Sequence, residues 1–138
     1  IKTSHVSLIK KTMVAGESFA ANTSFLVRLA MDGETAGRVY KADKDASTDD
    51  LFYVIGIALS TSAVAAGDNI AVVALGTHTL GSSDTAFNAA DIGLAVFLTA
   101  SGAFSITAPS AANEAVVRCG IVENTDKIWF QPQVIGVN

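Results

Sequence analysis

Two histidines, His5 and His78, a single cysteine, Cys119, and thirteen carboxylates are the groups of this 138-residue chain that could do acid–base, nucleophilic or metal chemistry. Zinc sites and nucleophile–base pairs need partners at short, fixed intervals, and neither histidine has them. His5 reads as a terminal polar residue and His78 as a loop residue. One cysteine forms no internal disulfide and no cysteine-based zinc site, which fits a reducing compartment or a fold that needs no covalent staple. Residues 76–83, GTHTLGSS, imitate a phosphate-binding loop, but Ser82 stands where the lysine belongs and no amphipathic helix follows. Asp43, Asp45 and Ser47 alternate like the first ligands of a calcium loop. Thr48 then takes the place of the turn glycine and Val54 that of the bidentate glutamate, so segment 43–50 reads as an acidic hairpin loop facing solvent. Glu17, Glu34, Glu114 and Glu123 show no arrangement that singles out the two placed carboxylates of a glycosidase. The expectation is a protein that is not an enzyme and uses no metal or cofactor.

The elements that carry these residues are short β-rich runs bounded by Gly, Asp, Asn and Ser. Strands are expected over 24–31, 36–41, 52–59, 69–75, 95–99, 103–107, 114–122 and 127–134. In Phe25-Leu26-Val27-Arg28-Leu29, the first, third and fifth side chains share one face, as a half-buried strand requires. Ser101-Gly102 and Asp32-Gly33 read as turns, since glycine reaches positive φ without steric cost. Helix is arguable only at 113–118 or 62–66, both too short to be stable alone. The predicted fold is all-β with little helix: a single-domain β-sandwich or β-barrel, with a jelly-roll-like sandwich as the alternative.

The chain also echoes itself. Gly37-Arg38-Val39-Tyr40-Lys41, Val54-Ile55-Gly56-Ile57-Ala58 and Asp68-Asn69-Ile70 are followed by Gly93-Leu94-Ala95-Val96-Phe97, Arg118-Cys119-Gly120-Ile121-Val122 and Asp126-Lys127-Ile128. This suggests two similar strand units, 36–76 and 93–136, within a β-domain spanning 36–138, with the shared glycines at bulges or close contacts. Residues 1–35 would form an N-terminal arm and the first strand or strands.

Composition narrows the partners. Half the residues are hydrophobic and 16% are charged, and the mean hydropathy is +0.43; this excludes intrinsic disorder and implies surface that meets protein. Apolar runs fall far short of the roughly 18 residues that span a bilayer, so no membrane segment is expected. A net charge of −4 is opposite to the sign that neutralises phosphates, which argues against nucleic acid. The start at Ile1, with no methionine and no signal-like run, fits a processed or trimmed terminus. The adjacent aromatics Phe52-Tyr53 and Trp129-Phe130 must point one ring to each sheet face. Tyr53 and Trp129 are therefore candidate interface residues.

The second half resembles a known group. Ala90-Asp91-Ile92-Gly93-Leu94-Ala95-Val96-Phe97-Leu98, the Ser101-Gly102 turn, Thr107-Ala108-Pro109, then Cys119-Gly120-Ile121-Val122 and Lys127-Ile128-Trp129-Phe130, are similar to modules of tailed-phage virion proteins: capsid decoration (cement) proteins and head or tail fibres. Gly56-Ile57-Ala58-Leu59 and Ala66-Gly67-Asp68 are similar to signatures of small cement proteins. The resemblance spans about residues 37–136 and leaves 1–35 unmatched. It implies a non-enzymatic homotrimer, made in the host cytoplasm, that binds the major capsid protein on the outer surface of the phage head and stabilises the shell. On this reading Lys2, Lys10 and Lys11 of an N-terminal arm lie along acidic capsid surface, and the interface residues are Lys2, His5, Lys10, Lys11, Tyr53 and Trp129. The alternative is a head- or tail-fibre domain that attaches to the host through loops such as 76–84. A secreted carbohydrate-binding or hydrolytic β-sandwich is the third reading.

Overall fold

Apolar alternation produces strands along most of the chain. A computed structural model describes residues 8–138. Its strands are β1 (Ile9–Val14), β2 (Phe25–Leu29), β3 (Val39–Lys41), β4 (Gly56–Leu59), β5 (Asn69–Thr79), β6 (Ala95–Leu98), β7 (Phe104–Ser105), β8 (Ala115–Asn124) and β9 (Lys127–Val137). The protein is all-β, and the helical turn among the described residues is a short 3₁₀ turn at Ala89–Asp91. The stretch 113–118 runs into β8 instead of a helix, and 62–66 is a loop touched by the isolated bridge Phe19↔Val64. β1 was not expected, because Lys10, Lys11 and Thr12 in succession break the alternation that marks a strand.

All ladders are antiparallel, in the order β3-β2-β4-β5-β9-β8-β6-β7, with β1 added to β5. The sheet curls into a half-barrel. β5 holds its two parts together. Its first half pairs with β1 and β4, and Gly76 to Thr79 pair with Phe130 to Lys127 of β9.

Side chains from β2, β4 and β5 are buried on both faces. Leu26, Ile57 and Val73 join a cluster with Val96, Leu98, Val117, Cys119, Val122, Ile128 and Phe130 from the β6–β8–β9 layer. Their neighbours Val27, Ala58 and Val72 join a second cluster with Ala15, Phe19, Val39, Val64 and Ile70. The second face is covered by the chain entering β2, through the bridges Ala15↔Val39 and Phe19↔Val64 and the edge-on packing of Phe19 against Phe25 at 5.4 Å. Phe25 and Val27 share a face as expected, but the strand is not half-buried. Leu29, at its end, is exposed, whereas Arg28 is buried beside Tyr40 and holds Glu34 at 2.6 and 3.0 Å.

The turns follow their sequences. Ser101 and Gly102 both have positive φ (54° and 78°), and Ala103 N–H donates to the Ala100 carbonyl, the geometry of a type I′ turn. Gly33 takes φ 88° in the four-residue turn that Glu34 N–H closes onto the Met31 carbonyl.

Gly56 and Gly120, which echo one another in sequence, are both at close approaches. A Cβ at Gly56 would strike Val72 and the Val73 carbonyl, and one at Gly120 would strike the Trp129 carbonyl. The β8–β9 register also slips between Arg118 and Gly120. Because the obstacle at Gly120 is backbone, Gly120→Ala is expected to destabilise the fold by about 1–3 kcal/mol. A drop in the urea midpoint of this variant at unchanged slope checks it.

Candidate functional site

His78 lies in β5 and is only 4% exposed, so it is not the loop residue expected. The strand expected over 69–75 continues to Thr79, because residues 76–79 pair with β9 instead of forming a loop. Its Nε2 lies 2.8 Å from Ser24 Oγ, which lies 2.5 Å from Asp84 Oδ2. Serine, histidine and aspartate thus meet, in an order that differs from a hydrolytic triad. An ionised carboxylate only accepts, so the Ser24 hydroxyl donates to Asp84 and the His78 Nε2–H donates to Ser24. A triad needs the reverse: histidine accepting the serine proton and aspartate on its other nitrogen. Asp84 also accepts the Ser24 N–H and the Gly81 N–H, so the cluster ties the 81–84 turn to the start of β2. Burial pushes the His78 pKa down to about 4; nearby Asp84 opposes this and Lys10 adds to it.

Other chemistry-bearing groups are also used internally. Asp43 accepts N–H groups of Asp45 (2.9 Å) and Ser101 (3.0 Å), and Asp45 accepts that of Ser47, whose bonds hold its carboxyl below the usual range. Among the described residues, no three His, Cys, Asp or Glu side chains converge to hold a metal ion. Burial pushes the Cys119 thiol up to about 12.

What remains is a surface. Across the outer face of the β5–β9–β8–β6 layer, Thr77, Trp129, Ile121 and Ala95 stand opposite one another in a single row. Trp129 and Ile121 are 40% and 43% exposed, and Ile92 and Leu94, on the chain entering β6, are exposed as well. Thr77 of β5 donates to Glu123 of β8 at 2.6 Å, and Arg118 of β8 donates to Gln133 of β9 at 2.7 Å. Past Phe130, β9 pairs only with β8 among the described residues. That free length exposes Val134, Ile135 and Val137 and carries no charged side chain.

The sequence-derived interface residues that are described do not gather on this face. Trp129 stands in the row just described, and Tyr53 is exposed before β4, its ring 4.7 Å from that of Phe52. Lys10 and Lys11 are exposed on β1, paired to Val73 and Val72, so they belong to the sheet and not to a separate arm. Lys2 and His5 lie outside the described residues. Ile121, Leu94 and the β9 end were missed; the Gly120 register slip that turns Ile121 outward has no local sequence signature beyond the glycine. No protein-family model matches the chain, and no curated protein matches its sequence.

Two measurements follow from the buried groups. Unfolded histidine titrates near 6.5 and folded His78 near 4, so between these values the unfolded state binds the extra proton. Stability is full above about 6.5 and falls with pH, by up to about 3 kcal/mol at pH 4, apart from the contribution of carboxylates. His78→Gln is expected to flatten the urea-midpoint profile across this window. Cys119 is expected to resist a thiol reagent in the native state and to react once the chain is unfolded in urea.

Proposed function

We propose that this chain is a non-enzymatic structural protein of a tailed-phage head, a decoration protein that binds the major capsid protein on the outside of the shell and stabilises it as a homotrimer. The observation that carries the reading is how much apolar surface stays outside after the interior is complete. Both clusters are closed, with their members at 7% exposure or less. Even so, twelve large apolar side chains among the described residues remain more than a third exposed. Such surface gains roughly 25 cal/mol per Å² when a partner covers it, which suits a protein that bridges capsomers and strengthens them without chemistry. The Trp129–Ile121 row and the uncharged end of β9 supply the two kinds of contact this needs: a flat apolar face and a strand edge able to pair. The phage resemblance of residues 90–130 supports the same assignment.

The test is co-sedimentation of the purified chain with empty heads of the phage that encodes it. The wild-type chain is expected to saturate the shells and raise their melting temperature. Trp129→Ala combined with Ile121→Ser is expected to reduce occupancy at least tenfold, to the order expected of an interface anchor. A folded wild-type chain that leaves shells undecorated overturns the reading.

A further inference from the structure

Strands β3-β2-β4-β5-β1 form one ladder, because β1 and β4 both pair with residues 71 to 73 of β5 and so flank it on opposite sides. Its two ends carry opposite charge beside apolar side chains. At the β1 end, Leu8 and Ile9 are exposed next to Lys10 and Lys11. At the β2–β3 end, Leu29, Met31 and Tyr53 are exposed among Asp32, Asp49 and Asp50. There Leu29, Met31, Tyr53 and Asp50 line a cavity of about 300 Å³. Arg28 lines it too, and its buried Nε has no hydrogen-bond partner among the described residues. The ion pairs of the described residues are Arg28–Glu34, Lys44–Glu114 and Lys127–Asp126, so neither lysine of β1 and none of the three aspartates is paired. β4 and β5 separate the two patches within a copy.

We infer that this chain binds a second copy of itself head to tail, the Leu8–Lys11 edge of one copy seating on the Leu29–Met31–Tyr53 patch and its aspartates in the next. The complementarity is both apolar and electrostatic. Each patch offers exposed aliphatic or aromatic side chains, and the basic pair at one end faces the acidic rim at the other. Because the patches differ, the contact is heterologous: each copy offers one of each, and the assembly closes into a ring when the rotation between neighbours permits. The inference deepens the proposed assembly and rests on that reading only in taking the working form to be an oligomer.

The experiment is the solution mass of the full chain by light scattering and sedimentation, with no shells present. The wild-type chain is expected to be an oligomer whose dissociation is favoured by added salt. Lys10→Glu with Lys11→Glu, and separately Asp49→Lys with Asp50→Lys, are each expected to weaken association about tenfold or more, since like charges then face one another. All four substitutions in one chain swap the charges and are expected to restore the wild-type mass. All four substituted positions are exposed, and circular dichroism confirms that each variant is folded. A monomeric wild-type chain overturns the inference and leaves Lys10 and Lys11 as guards of the β1 edge. Doubly substituted variants that keep the wild-type mass, or a folded fourfold variant that stays monomeric, overturn it as well. Shell binding by the wild-type chain is read separately, so a monomer that decorates shells defeats this inference alone, and an oligomer that ignores shells defeats only the capsid reading.

Discussion

The architecture depends on β5 satisfying neighbours in two different parts of the sheet. Along its first half it is hydrogen-bonded on both sides, to β1 and to β4, and its alternate side chains enter both apolar clusters: Ile70 and Val72 one, Val73 the other. It then changes partner between Leu75, which pairs with Ile9, and Gly76, which pairs with Phe130. At that junction Gly76 has φ 105°, a conformation that a side chain would strain, so the change of direction falls where the backbone can take it. Gly56, across from Val72 and Val73, lets β4 approach closely enough for both clusters to close. Without this strand, the β2–β3–β4 portion and the β6–β9 layer would share no ladder.

The same constraint explains why a serine, a histidine and an aspartate meet in an order other than that of a hydrolytic triad. Continuing β5 to Thr79 carries His78 inward, where a charged imidazole is costly and a neutral one needs a partner. Ser24 supplies that partner, and Asp84 anchors Ser24 through both its hydroxyl and its backbone N–H. Hydrogen bonds of this kind fix a turn against a strand. Arg28 belongs to the same class: buried at the end of β2, it is neutralised by a two-pronged contact with Glu34, which raises its pKa as it lowers that of Glu34.

Much of the fold could be read from the sequence because it is written in local alternation. Eight of the nine strands among the described residues coincide with apolar runs bounded by turn residues, and the Ser101-Gly102 turn has the backbone its residues imply. β1 escaped because an edge strand can be polar on both faces, and its existence depends on β5, some sixty residues later. The burial of both faces of β2 was equally invisible, since what covers the second face is the irregular stretch through Ala15 and Phe19. Trp129 could be singled out because adjacent aromatics within a strand diverge; Phe52 and Tyr53 instead lie ahead of β4 with their rings packed together, leaving Tyr53 exposed, and Ile121 is turned outward by a register slip that belongs to the pairing of two strands. The meeting of Ser24, His78 and Asp84 joins positions far apart in sequence and had no signal at all.

The distribution of covered and uncovered faces also gives the apolar exterior a physical cause. One outer face of the sheet is sealed by the chain's own connections, the segment through Phe19 and the loop carrying Val64. On the β5–β9–β8–β6 side, β8 turns into β9 across Thr125 and Asp126 and β6 into β7 across the Ser101-Gly102 turn, while the connections from β5 to β6 and from β7 to β8 are longer. Even with these longer segments, Trp129, Ile121 and the Val134, Ile135 and Val137 side chains of β9 stay exposed, as do Ile92 and Leu94 on the chain from β5 to β6. A row of apolar side chains on a rigid, hydrogen-bonded sheet then persists on the surface at no conformational cost to a partner that covers it, because the strands beneath are already ordered. The exposure of the row is therefore set by where the connections run: the chain completes its interior and leaves a preformed apolar face on this side.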